Sequence, residues 1–153
     1  MEGAEAIEIN KLLDTQTIDP IHLSQQPLNR RKDTTYYNPQ VKEKPGNEGI
    51  NQDTSFRIRG TIGGDRINYP GKTMARVAAM PVVKVLSNSV VSTVGARFLT
   101  ADIKDFYLGT PLPRPEYLRI PLQFIPDAVI VERNLAQFKH NGYILFRVNK
   151  GMY

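Results

Sequence analysis

Six residues near the end of the chain constrain the fold most. From 143 to 148, Tyr143, Leu145 and Arg147 alternate with Ile144, Phe146 and Val148. A period of two is the pleat of a β-strand, and it decides which side chains share a face. Residues 55–62 repeat the pattern, with Phe56, Ile58, Gly60 and Ile62 on one side and Arg57, Arg59 and Thr61 on the other. Upstream, 34–44 is rich in β-formers (Thr34, Thr35, Tyr36, Tyr37, then Val41). The cluster Pro45, Gly46, Asn47, Glu48, Gly49 supplies turn residues between the two runs. Together they predict a hairpin with a loop of about nine residues.

Helical signals are fewer. Residues 2–14 place Ala6, Ile9, Leu12 and Leu13 at three-to-four-residue spacing, which predicts a short helix. Residues 15–31, with Pro20 and Pro27, read as loop. Pro81 suits the first turn of a helix, Val82, Val83, Val85, Leu86, Val90 and Val91 give it a packed face, and Gly95 ends it. Residues 97–103 read as a buried strand and 117–120 as another. Pro121 and Pro126 bracket an irregular segment. Gly63, Gly64 and Asp65, and then Tyr69, Pro70 and Gly71, read as turns, and no Gly-Lys-Ser/Thr follows to make a phosphate loop. The expected class is α+β with mostly antiparallel strands.

Composition narrows the chemistry. The chain has 153 residues, a size for one modest domain. It has no cysteine, which excludes disulfides and thiolate metal sites. His22 and His140 are the only histidines, so any metal would sit on carboxylates, as magnesium or manganese do. No apolar run reaches the roughly 18–20 residues that span a bilayer. The acidic first residues lack the basic-then-apolar order of a secretory signal. A net charge of +5 tilts the partners toward polyanions.

The residues with most chemical content run from Leu99 to Leu112. Asp102 falls at the end of the apolar run, followed by Asp105, Phe106, Tyr107, Pro111 and Leu112. A carboxylate at a strand end can be aimed at a hard cation, and phosphoryl transfer uses such ions. By residue type alone Asp102 reads equally as a solvated strand end or a helix N-cap, Tyr107 as a packed aromatic, and Arg57 and Arg59 as a solvated strand face.

This segment resembles motif A of reverse transcriptases, in which an Asp ends a strand, an aromatic follows five residues later, and a Pro-Leu pair lies nine and ten residues on. Two flanking segments are similar to the copia-like retrotransposon polymerases. Tyr36 to Lys44 followed by Phe56 to Gly71 resembles their fingers hairpin, with Arg59 on the family's arginine and Arg57 on its lysine. Gly142 to Tyr153 resembles the strand that leads into their motif B. The family usually has a small residue before the aromatic, where this chain has Phe106.

The resemblance implies an incomplete right-hand polymerase fold: an N-terminal helix and loop (1–33), a fingers-like region (34–96), and a partial antiparallel palm with motif A (97–153) that stops before motif B. It implies that Asp102 is catalytic and binds the metal, magnesium or manganese in the complete enzyme. Tyr107 would be the steric gate against a ribose 2′-hydroxyl. Asp105 and Phe106 would offer backbone amides to the triphosphate, and Arg59 and Arg57 would hold its phosphates, with Arg66 a further candidate. The implied partners are an RNA or DNA template–primer, deoxynucleotide triphosphates and the rest of a retrotransposon polyprotein. No membrane is expected, and the location would be a cytoplasmic particle or the nucleus. The alternative is a catalytically dead or domesticated nucleic-acid-binding fragment with Lys42, Lys44, Arg57 and Arg59 as contacts. A ribonuclease-H-like metal nuclease would also use a strand-borne Asp, but gives no reason for Tyr107 or the fingers segment.

Overall fold

The computed structural model describes residues 2–44, 55–68, 77–101 and 103–152. Contacts divide the chain into two compact units. One comprises Met1–Asn68 and Asp105–Tyr153, the other Tyr69–Lys104.

The larger unit is mixed α+β. It contains helices α1 (Glu2–Asp14) and α3 (Asp127–Glu132), with α2 belonging to the other unit. Its strands are β1 (Ile18–Ile21), β2 (Thr35–Lys44), β3 (Ser55–Ile62), β4 (Pro111–Pro121), β5 (Lys139–His140) and β6 (Tyr143–Lys150). They form an open sheet in the order β1–β6–β4–β2–β3, with β5 also on β6. All pairings are antiparallel except β2 with β4, where Thr35 pairs with Leu118 and Tyr36 with Arg119. The β4–β6 ladder is irregular between Pro111 and Glu116, where Pro113 and Pro115 lack N–H donors.

Alternation assigns the two faces. Leu118 and Ile120 of β4, with Ile144, Phe146 and Val148 of β6, join Ile9 and Leu12 of α1 and Val129 and Ile130 of α3 in one core cluster. The opposite face holds a small second cluster of Ile21, Tyr117 and Leu145. The expected helix over 2–14 and the strands over 34–44, 55–62 and 143–148 are all present.

Other expectations are corrected. Residues 15–31 are not all loop, because Ile18–Ile21 pairs with 145–148 of β6, and two 3-10 turns follow at Leu23–Gln25 and Leu28–Asp33. The segment between Pro121 and Pro126 is a 3-10 turn, Leu122–Phe124, and α3 begins at Asp127 with Pro126 as its N-cap. Residues 97–101 and 103 form no strand, and Phe98, Leu99 and Ile103 are exposed. A strand needs a ladder partner for its backbone, and none among the described strands pairs with this run. The hairpin exists with Lys44 paired to Ser55. The turn residues Pro45 to Gly49, and Tyr69, Pro70 and Gly71, lie outside the described residues.

In the smaller unit, α2 spans Met80–Ser92 with Pro81 in its first turn, as expected. Gly95 follows at φ 77°, a conformation glycine adopts without a Cβ penalty. Its apolar face is not packed: Val82, Val85, Leu86 and Val91 are exposed. These residues spread over more than half the helix circumference, wider than the stripe of an ordinary amphipathic helix. Among the described residues no helix is long and apolar enough to cross a membrane.

Tyr37 is tightly packed in the core of the larger unit. Its ring tilts against Phe124 at 5.8 Å and lies so close to Gly60 that a Cβ there would meet its Cε2 at 2.8 Å. Its hydroxyl is buried with no hydrogen-bond partner among the described residues. Burial, then the charges of Glu8 and Glu5, raise its pKa well above the ordinary tyrosine value. A phenol raised in the folded state leaves stability untouched below its unfolded value of about 10. It subtracts stability as pH climbs past that value, because the unfolded chain ionises first. Urea unfolding of Tyr37→Phe should therefore match or exceed wild-type stability by up to about 1 kcal/mol at pH 7. The advantage should widen between pH 9 and 11; a constant difference across that range would refute the account. Gly60→Ala should cost about 1–3 kcal/mol in the same assay by overpacking.

Candidate nucleotide and nucleic-acid interface

Helix α1 positions the candidate residues. It is amphipathic, with Ile9 and Leu12 fully buried on the sheet. Glu8, also buried, accepts a hydrogen bond from the Gly60 N–H at 2.9 Å. Gly60 sits opposite Pro39 on β3, an edge strand, so that N–H faces away from β2 and would otherwise lie open. One turn on, Lys11 Nζ meets Asp105 Oδ1 at 2.5 Å, both side chains about a quarter exposed (26% and 29%). Between α1 and β3 runs an open cleft of ≈ 240 Å³ lined by Ala4, Ile7, Glu8, Lys11, Phe56 and Arg57.

Asp105 opens a tight turn in the left-handed region at φ 56°, which Asp tolerates better than most residues. The 3-10 turn Tyr107–Gly109 follows and buries Leu108 in the main core. Phe106 and Tyr107 remain 55% and 58% exposed, their rings edge-to-face at 5.7 Å. The turn is seated on the end of β6. The Gly151 N–H donates to the Thr110 carbonyl at 2.9 Å, and a Cβ at Gly151 would lie 2.9 Å from the Tyr107 carbonyl oxygen.

Arg57 and Arg59 are both exposed on β3. Their register opposite Lys42 and Gln40 puts the four residues on the sheet face opposite that of Ile58, and Arg57 also lines the cleft. The candidates thus form two groups. Asp105, Phe106 and Tyr107 lie together at the end of β6. Arg57 and Arg59 lie on β3, and Lys11 relates the groups by bordering the cleft with Arg57 while pairing with Asp105. Arg66 stacks on the Tyr36 ring at 5.5 Å. Asp102 lies outside the described residues. The side chain of Lys44 does too.

Among the described residues no group of three or more His, Cys, Asp or Glu stands close enough to hold a metal ion. The nearest described carboxylate in sequence to Asp102, that of Asp105, is engaged by an ammonium. Asp102, the residue that the resemblance assigns to the metal, is not among the described residues. Lys11 escaped sequence reasoning because 94 positions separate it from Asp105 and nothing in its local context marks it.

Comparison with protein-family models, with curated proteins and with solved structures finds no match to this chain.

The Lys11–Asp105 pair can be measured directly. Lys11→Met and Asp105→Asn should each lower stability by about 1 kcal/mol, the scale of partly exposed ion pairs after solvent screening. The double variant should lose less than their sum. Full additivity in urea unfolding would show that the pair does not couple α1 to the turn.

Proposed function

We propose that this chain is part of an RNA-directed DNA polymerase of the copia-like reverse-transcriptase kind, carrying fingers-like and partial palm segments. One observation carries the reading. The turn that holds Tyr107 is seated on the end of β6 through Gly151, so the motif A segment and the final strand of the resemblance are neighbours in space as well as in order. The exposed Tyr107 ring supports a gate over a packed aromatic, because a ring that screens a sugar must face the nucleotide. Arg57 and Arg59, exposed on the hairpin, suit contact with phosphates.

In this reading the complete enzyme extends a primer on an RNA template with deoxynucleotide triphosphates. Asp102 is the carboxylate that the resemblance assigns to its divalent ions. The second reading, a non-catalytic nucleic-acid-binding piece, is favoured by the basic residues on the hairpin face.

Two measurements separate the readings. The isolated 153-residue chain should show no templated incorporation in a primer-extension assay. The reading frame that encodes it should continue past Tyr153 into Gly-Leu-x-Gln and, later, Tyr-x-Asp-Asp. A stop codon directly after Tyr153 would replace the polymerase reading with the binding one. Incorporation by the isolated chain would overturn the inference that it lacks a working centre.

A further inference from the structure

The sheet face turned away from α1 carries three arginine–tyrosine stacks. Arg30 lies over Tyr117 at 5.7 Å, Arg119 over Tyr143 at 5.6 Å and Arg66 over Tyr36 at 5.5 Å. Tyr36, Tyr117 and Tyr143 belong to three neighbouring strands, and by alternation all point to this face. At the usual frequency of about one cation–π contact per 70–80 residues, a chain of 153 residues would hold about two, and this face alone carries three.

The charge on this face is unevenly matched. Asp19 accepts from Arg147 and Asn149, and Glu116 is held between Arg30 and Arg114. Arg31 and Arg119 have no carboxylate within ion-pair distance among the described residues, and Arg31 bonds only the Leu23 carbonyl, at a long 3.4 Å. These two arginines and Tyr143 wall an open cleft of ≈ 190 Å³, floored by Leu23 and Leu145, with Gln26 and Thr34 at its side. That is below the ~300 Å³ at which small-molecule sites begin. It suits one planar ring with its phosphates outside, not a whole cofactor.

We propose that this face binds a single-stranded nucleic-acid segment, with one base in the Arg119–Tyr143 cleft and the flanking phosphates on Arg31 and Arg119. A nucleic acid fits better than an acidic peptide because the cleft sets one ring, Tyr143, beside its two guanidinium groups. Rings stack on bases irrespective of sequence, and guanidinium groups match phosphate in a fork. A carboxylate-bearing peptide would need the charges alone. The site stands apart from the polymerase reading, since it uses neither Asp102, Asp105 and Tyr107 nor the β3 arginines.

The test is fluorescence anisotropy of a labelled, unprimed 12-nucleotide RNA and its DNA counterpart, titrated with this chain at several salt concentrations. Binding is expected to weaken linearly in log–log form with salt, with a slope of magnitude about 1.4 for two phosphate contacts on a single strand. Arg119→Ala and Tyr143→Leu should each weaken it about tenfold. Arg119→Lys, which keeps the charge and loses the planar stack, should fall between. Thermal melts of each variant establish that it is folded, and Arg119→Lys at an exposed position carries the conclusion if Tyr143→Leu is not. Unchanged affinity in folded Arg119→Ala would overturn the proposal, as would salt-independent binding. Competition by poly-glutamate as effective as by unlabelled RNA would overturn it in favour of an acidic protein partner. None of these outcomes alters the primer-extension or reading-frame results, so the two readings fail separately.

Discussion

The seating of α1 on the sheet is the interaction on which the rest of the larger unit depends. A 13-residue helix is marginal alone in water and owes its stability to packing. Here Ile9 and Leu12 supply that packing, and three polar ties fix the register. Glu8 closes the open edge of β3, Lys11 holds the Asp105 turn, and Arg133 after α3 reaches Asn10 at 2.9 Å and Asp14 at 2.8 Å. Each tie joins parts of the chain distant in sequence. A loosened α1 would free an edge strand and a strained turn together.

With α1 and α3 on one face, the sheet divides its labour by the pleat. Inward positions are aliphatic or aromatic, and the other side is left to arginine, lysine and tyrosine. This face keeps only a small apolar patch, Ile21, Tyr117 and Leu145, beneath the 3-10 turns. Tyr117 is buried in this patch under a largely buried Arg30, whereas Tyr36 and Tyr143 remain partly exposed beside the exposed Arg66 and Arg119. A stack at an exposed site contributes about 0.5–1 kcal/mol, so the two exposed ones stabilise the fold modestly. The same groups facing a polyanion gain far more from counterion release, since each phosphate contact adds to the salt dependence. That imbalance favours a binding role for the face over a purely structural one.

Elements with a clear period were legible in the sequence, and short ones were not. Helix α1 and strands β2, β3 and β6 each announce themselves over eight or more residues. Strand β1 has four residues, one of them Pro20, and exists because β6 offers a partner. Helix α3 has six residues between Pro126 and the left-handed Asn134, too few for a period to show. Residues 97–103 have strand composition, but 97–101 and 103 join no ladder among the described strands, and composition cannot supply a neighbour. The site divides the same way. The outward aim of Arg57 and Arg59 follows from alternation, whereas the Lys11–Asp105 contact and the arginine–tyrosine stacks arise only once strands and turns are assembled.

The turn after Asp105 shows how such assembly bears on function. A non-glycine residue in the left-handed region costs about 1 kcal/mol or more. Leaving Phe106 and Tyr107 more than half exposed forgoes roughly 25 cal/mol for each Å² of ring that could have been covered. Both costs fall on one turn, and three features offset them: the Lys11 ion pair, the buried Leu108 and the Gly151–Thr110 bond. A turn free to relax would fold its rings onto the neighbouring apolar surface. This one is tied on both sides, so its aromatics stay presented to solvent.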